Sequence, residues 1–509
     1  MSPFYFSETK FLVMILNYEN AISAHLLNEL QERRKPSAMP ILHFGVGGFH
    51  RAHQAWALQR LQNNCEKAYQ DWGICGVCML PGDLPFVEAL RAQDGLYYVQ
   101  SFSPDGQHEN TLVSVIKQLL HPSNDYAAIL DRIASKETKV ISFTITEGGY
   151  NVDNNHRFIW TIPTIQNDLK KTGTPQTVFR ILAEGLRKRM EMNAPGVIFM
   201  SCDNVQHNGD VLKFALLEFL RKFDEALIPW MEQKVSFVKT MVDRITPLTT
   251  KEQKAEFTAT YEIEDQCLVV CEDFFQWIIQ KNPWLEGLPY TQMGATLVED
   301  IAPYEKMKLR LLNGGHSLTG LLGDILEYDR IHTSINDPLI SSVYKRYCKE
   351  EVIDTLDDIK EISYEDYVEQ LISRFSNPMI NDSTARIVSG STDKLPKFVL
   401  PVILDQLAGK KKRIKWGILI IATWYCYLDR EFKRDRMANV VDLNRDELLK
   451  QFSAAGFGPD DFLDSLVILA GIKGIAVVRQ LFTHYARKLS QDDIGQRRLF
   501  IQQLLGREG

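Results

Sequence analysis

Lys308-Met-Lys-Leu-Arg-Leu-Leu-Asn313-Gly-Gly-His316 sets a lysine, a carboxamide and an imidazole on one predicted helix, directly after Pro303-Tyr304-Glu305. At ~100° per residue, Glu305, Lys308, His316 and Asn313 fall within roughly 140° of arc, with Asn313 at one edge. Polar groups rarely share a face with Met307, Leu311, Leu312 and Leu318 unless that face lines a cavity. A lysine buried there loses the stabilisation of its charge and can serve as a base near neutral pH. The same residues also read as an exposed helix lysine, a helix end at Asn313-Gly-Gly and a packed core histidine. Context has to decide between the two.

A second candidate constellation lies near the start. Pro40-Ile-Leu-His-Phe-Gly45 is a short apolar run ending in glycine, and Gly45-Val-Gly47-Gly48-Phe49-His50 then leads into helical spacing from Arg51 to Leu61. Gly45 and Gly47 match the first two glycines of a dinucleotide fingerprint, one for the tight turn and one for close approach of a pyrophosphate. His50 takes the third place. Asp83, in Met79-Leu-Pro-Gly-Asp83, stands near where a ribose-binding acid is expected, somewhat late in the interval. It reads equally well as a turn residue after Pro-Gly. No lysine or arginine beside it is placed to take a 2′-phosphate, so NAD is favoured over NADP.

These groups need a frame to hold them. The first half alternates strands with helices: after Pro40–Gly45, strand-like runs fall at Gly73–Leu80, Leu96–Phe102, Thr138–Thr146, Gly196–Ser201 and Val235–Val242. That alternation marks a largely parallel sheet covered on both faces, an α/β Rossmann-type domain. Beyond about residue 295 the spacing turns helical, at Tyr367–Phe375, Phe398–Leu407, Trp416–Leu428, Asp460–Leu469 and Ala476–Leu489. Residues 1–297 are therefore expected to form a nucleotide-binding domain, and 298–509 a mostly α-helical second domain. The junction at Val298–Pro303 would bring the lysine helix to the cleft between them, where small-ligand sites concentrate. Residues 1–13 read as a loose extension, with Met14 a candidate start.

Composition removes several function classes. A hydrophobic share of 45% and a charged share of 24% are those of a globular protein. A net charge of -7 argues against affinity for nucleic acid or anionic membrane, and Lys410-Lys-Lys-Arg413 reads as a solvated loop. No apolar run approaches the ~18 residues that span a bilayer. The eight cysteines show no disulfide framework, and Cys75-Gly-Val-Cys78 reads as strand packing rather than redox chemistry, so a cytoplasmic setting is expected. The eleven histidines contain no His-Glu-x-x-His pattern, and no metal is expected. Asp203 and Cys202 flank Asn204 without an assigned chemical role, and Asn208-Gly-Asp210 reads as a turn and cap for a helix starting near Val211.

Several segments, in order, resemble one family. Phe44–His53, Thr144-Ile-Thr-Glu-Gly-Gly-Tyr150, Ser201-Cys-Asp-Asn204, Met241-Val-Asp-Arg-Ile-Thr-Pro247 and Lys308–His316 are similar to the polyol-specific long-chain dehydrogenases. Arg374-Phe-Ser-Asn-Pro378 and Leu395-Pro-Lys-Phe398 continue the likeness. The resemblance implies interconversion of D-mannitol and D-fructose by metal-independent hydride transfer between substrate C2 and NAD, in a monomer. It carries the general-base role to Lys308, oxyanion contacts to Asn204 and Asn313, a substrate hydroxyl to His316 and a proton path to Glu305. Asp243, Arg386 and Lys394 align with substrate-pocket positions. Hexuronate reductases acting on fructuronate or tagaturonate share most of these motifs, though fructuronate reductases tend to carry a charge where Gly148 stands. A nucleotide-binding sensor without catalysis is the reading from another class.

Overall fold

In the parallel sheet of the first unit, successive residues of each apolar run face opposite sides, and both sides are covered. The computed structural model describes residues 14–18, 38–64, 69–153, 157–409 and 411–506. The expected extension 1–13 and Lys410 of the basic run lie outside them. Six strands form the sheet: Ala38–Phe44 (β1), Trp72–Val77 (β2), Ile116–Leu120 (β3), Val140–Phe143 (β4), Val197–Ser201 (β5) and Val235–Val238 (β6). Their spatial order is β3-β2-β1-β4-β5-β6 and every neighbouring pair is parallel. This is the Rossmann order, whose switch point lies between β1 and β4.

Ile41, Ile74, Val140 and Ile198 feed one core, and Leu42, Cys75, Ile141 and Phe199 the other. Burying each such aliphatic or aromatic side chain stabilises the fold by roughly 1.5–3 kcal/mol, which is why these strands read as continuous apolar runs. Cys75 and Cys78 belong to opposite cores, and burial pushes both thiols up to about 12. They are packing residues, and the described cysteines are all unbonded.

Three sequence expectations need correction in this unit. Tyr97–Phe102, expected in the parallel sheet, instead lies in a separate three-stranded sheet between His108–Val113 and Val269–Glu272. The run Val235–Val242 is two strands rather than one. It breaks at Lys239, after which Thr240–Asp243 pairs antiparallel with Gln276–Gln280. The helix expected near Val211 begins at Asn208, preceded by His207 in the left-handed region (φ 54°). Asn208 is no cap. It is fully buried, donating to the Asp203 and Thr240 carbonyls and accepting from the Thr240 N–H at 3.1 Å.

The chain divides into residues up to Phe102 with Gln107–Ile301, and Ser103–Gly106 with Ala302–Gly509. From Ala302 onward the second unit is helical, with no extended strand among its described residues. Gly314–Ile325 runs through its middle, packed by Ile331–Asn336, Pro338–Tyr347, Thr384–Val388 and Lys415–Lys433. Asn313-Gly-Gly does not end a helix, because the helix continues through it. A Cβ on Gly315 would collide with the Tyr344 ring, so glycine is what lets these helices approach. Two other expected helices are interrupted. Phe398–Leu407 spans a break at Val399 between Ser391–Phe398 and Leu400–Ala408, next to Pro401. Asp460–Leu469 ends as an α-helix at Ser465. Among the described residues no helix is long and apolar enough to cross a membrane.

Candidate active site

The nucleotide turn follows β1 directly. Gly45 has φ 96°, and a Cβ there would strike the Thr144 carbonyl of the chain leaving β4. Gly47 is exposed and a Cβ on it would meet nothing within 4 Å, so its backbone stays open to an approaching group. The helical run from Gly48 to Asn64 then points its N-terminal N–H groups outward from the turn, a setting that favours a phosphate. These residues fit a dinucleotide. Phe49 packs its ring 5.0 Å from that of His53.

His50, in the third-glycine place, has a physical explanation. Its ring stacks on His43 of β1 with centroids 3.4 Å apart and planes 11° apart, so two flat rings achieve the close helix–strand approach usually left to glycine. His43 also ties the turn together: Nε2 lies 2.9 Å from Thr144 Oγ1 and 3.1 Å from the Gly45 carbonyl. Burial, and for His43 the neighbouring His50, holds both imidazoles far below their usual range, His50 at about 3. Asp83 sits in the turn Pro81–Asp83, where its carboxylate accepts from the Leu80 N–H at 2.9 Å.

Asn204 lies just past the carboxyl end of β5, and it is exposed. Its neighbour Asp203 shapes the loop. The buried carboxylate accepts from the Ile145 N–H (2.9 Å), the Thr146 N–H (2.8 Å) and the Tyr150 hydroxyl (2.6 Å). Burial raises Asp203 to about 6 despite those donors. Asp243 is buried at the end of Thr240–Asp243. The adjacent Arg244 staples that end in place, donating to the carbonyls of Ala52 (2.6 Å) and Glu272 (2.8 Å) with its guanidinium over the Trp56 ring.

In the second unit the lysine stretch departs from a regular α-helix. Ala302–Met307 is α-helical, Lys308–Asn313 is π-helical, and α-helix resumes at Gly314. The wider i→i+5 turn takes an extra residue, so the arc reckoned at constant α spacing across Lys308–His316 does not hold. Such turns occur often at functional sites. Glu305 (4% exposed) and Lys308 (7%) are buried one turn apart, and Asn313 is half-buried. The exposed-lysine reading is thereby excluded.

His316 is held between Phe375 on one ring face and Asp382 at its Nε2 edge. Phe375 stacks on its ring at 4.3 Å, and the Asp382 carboxylate lies 3.7 Å from Nε2. Asp382 in turn accepts from Arg386, at 2.6 Å from Nε and again from a second guanidinium nitrogen. Lys394 donates to the Ile387 carbonyl at 2.9 Å. Burial lowers His316 to about 4; Asp382 opposes that, while Arg386, Lys394 and Arg374 add to it. Burial alone would raise Asp382, but Arg386 and His316 hold its carboxyl below the usual range.

The His316 shift has a measurable consequence. Unfolded His316 takes up a proton below about 6.5 while the folded ring does not, so this group costs stability as pH falls from there towards about 4. In an NMR titration, its ring resonances should stay unchanged between about pH 8 and 5. A midpoint near 6.5 would contradict the neutral assignment. Among the described residues no group of three or more His, Cys, Asp or Glu is placed to hold a metal ion.

A parallel sheet in Rossmann order, opened by a glycine turn and followed by a helical unit with a buried lysine, defines a two-domain dehydrogenase. Residues 39–292 match the mannitol dehydrogenase Rossmann domain and residues 300–489 the mannitol dehydrogenase C-terminal domain. The chain belongs to the mannitol dehydrogenase family. Among its relatives, mannitol dehydrogenase 2 of Saccharomyces cerevisiae is 37% identical, covering 76% of this chain and 77% of the yeast protein. Mannitol 2-dehydrogenase of Aspergillus terreus is 35% identical, covering 83% and 85%. The solved mannitol 2-dehydrogenase of Pseudomonas fluorescens, a ternary complex with NAD and D-mannitol, superposes with a TM-score of 0.81 at 30% identity, covering 93% of this chain and 96% of that one.

Proposed function

We propose that this NAD-dependent polyol dehydrogenase interconverts D-mannitol and D-fructose, with Lys308 as general base. The observation that carries the reading is the buried Lys308, opening a π turn that ends at Asn313, in a family whose Pseudomonas member was solved with NAD and D-mannitol. Oxidising a secondary alcohol requires the hydroxyl proton to leave as hydride leaves carbon, and the developing oxyanion must be stabilised. Lys308 takes the proton and Glu305, one turn away, passes it towards solvent. Asn204 and Asn313 donate carboxamide N–H groups to the oxygen. Neutral His316 offers one ring donor and one acceptor, which suits a substrate hydroxyl. Asp243, Arg386 and Lys394 hold the rest of the polyol.

Gly45, Gly47, Gly48 and Phe49 form the cofactor turn, with Asp83 for the ribose. When bound, NAD would accept the hydride that leaves C2 of the polyol. The enzyme on this reading is cytoplasmic, monomeric and metal-independent. NADH oxidation with D-fructose, D-fructuronate and D-tagaturonate offered in parallel tests it. Turnover of fructose is the expected result. Turnover of uronates alone would make the protein a hexuronate reductase, and tight NADH binding with no turnover would make it a sensor.

A further inference from the structure

A ketose bearing a terminal carboxylate needs an available cation beside the residues that hold its hydroxyls. Three cations surround His316, and each is already engaged or inaccessible. Arg386 is the exposed one, with 51% of its side chain accessible, but its guanidinium forks onto Asp382 through two nitrogens. Two-point pairing of this kind is the strong form of the arginine–carboxylate contact, and it cancels the charge that a substrate carboxylate would seek. Lys394 spends donors on the carbonyls of Ile387 (2.9 Å) and Arg386 (3.3 Å), at the end of Thr384–Val388. Arg374 is 4% exposed, less than Lys308 (7%) or His316 (8%).

Asp382 itself is a fixed negative charge. Its side chain is 5% exposed, it lies 3.7 Å from His316 Nε2, and its carboxyl is held ionised by Arg386. A second carboxylate brought to the Arg386 and His316 edge would face that charge, and like-charge juxtaposition is costly. Hydroxyls meet no such penalty. Arg386 has five N–H donors and two are used, which leaves single donors suited to neutral oxygens.

We infer that Asp382 sets the substrate class: by pairing with Arg386 beside His316, it admits uncharged hexitols and ketohexoses and turns away hexuronates. This rests on the reading above, in which Arg386 and His316 face the substrate.

The test uses the full-length enzyme with NADH and compares kcat/KM for D-fructose and D-fructuronate before and after Asp382→Asn, with thermal melting to check folding. The unmodified enzyme is expected to favour fructose by at least roughly 100-fold, and Asp382→Asn to shrink that ratio by at least about tenfold, chiefly through a lower KM for fructuronate. A structural defect alone would lower both activities and leave the ratio in place. An unchanged ratio in a folded Asp382→Asn enzyme overturns the inference while leaving fructose reduction intact. If that variant does not fold, the unmodified enzyme still decides: equal turnover of the two sugars overturns the inference, and strong preference for fructose supports it. Turnover of neither sugar overturns the parent reading and this inference with it.

Discussion

Lys308→Ala is expected to lower kcat by about 10²- to 10⁴-fold, the range that a positioned general base contributes. The side chain is buried at the first residue of the π turn Lys308–Asn313, three residues after the buried Glu305. Alanine removes the proton acceptor and leaves the helix, because alanine is a strong helix former. The loss should therefore appear in kcat and in kcat/KM together, the pattern of an interaction made only in the transition state. Small primary amines in the assay should restore part of the rate, since they refill the space with a base of the same kind. A variant that kept the unmodified rate at neutral pH would show that another group takes the proton.

Asn204→Ala and Asn313→Ala should each cost roughly 10²- to 10³-fold in kcat, as expected for one donor lost from an oxyanion site. Asn204 follows β5 of the parallel sheet, and Asn313 closes the π turn. If both hold the same oxygen, the double variant should lose less than the product of the single losses, because partners in one cluster are not additive. Steady-state kinetics on the three variants decides this. An ordinary rate in either single variant removes that residue from the proposed oxygen site.

Much of the frame was legible because the sheet is buried on both faces. Runs such as Val140–Phe143 and Val197–Ser201 are apolar but for Ser142 and the terminal Ser201, which is how a parallel strand between two helical layers reads. Ile116–Leu120 escaped notice for the opposite reason. It is the edge strand β3, and Lys117 and Gln118 fall at consecutive positions, breaking both the apolar run and any alternation. The break at Lys239 was equally hidden, since Val238 and Thr240 suit either one long strand or two short ones.

Within the candidate site, the residues with chemistry were readable and their supports were not. Lys308, Asn313 and His316 stood out as polar types among leucines, but a π turn differs from an α turn by a single residue and leaves the apolar spacing almost unchanged. Phe375 and Asp382 lie 59 and 66 positions beyond His316, and only the packing of the helical unit brings them against its ring. A signal existed for Phe375, which sits inside Arg374-Phe-Ser-Asn-Pro378. Asp382 offered none, being one acid among 65. Asp203 reads from sequence as a buried acid that stabilises its loop, and the three donors converging on its carboxylate give that role its geometry.

The most direct test of the central claim follows the hydride. The full-length enzyme is given D-fructose and NADH carrying deuterium at the transferred position, and the product is examined by NMR. D-mannitol with deuterium on C2 is the expected product. Deuterium on another carbon, a product other than D-mannitol, or no labelled sugar would contradict the claim.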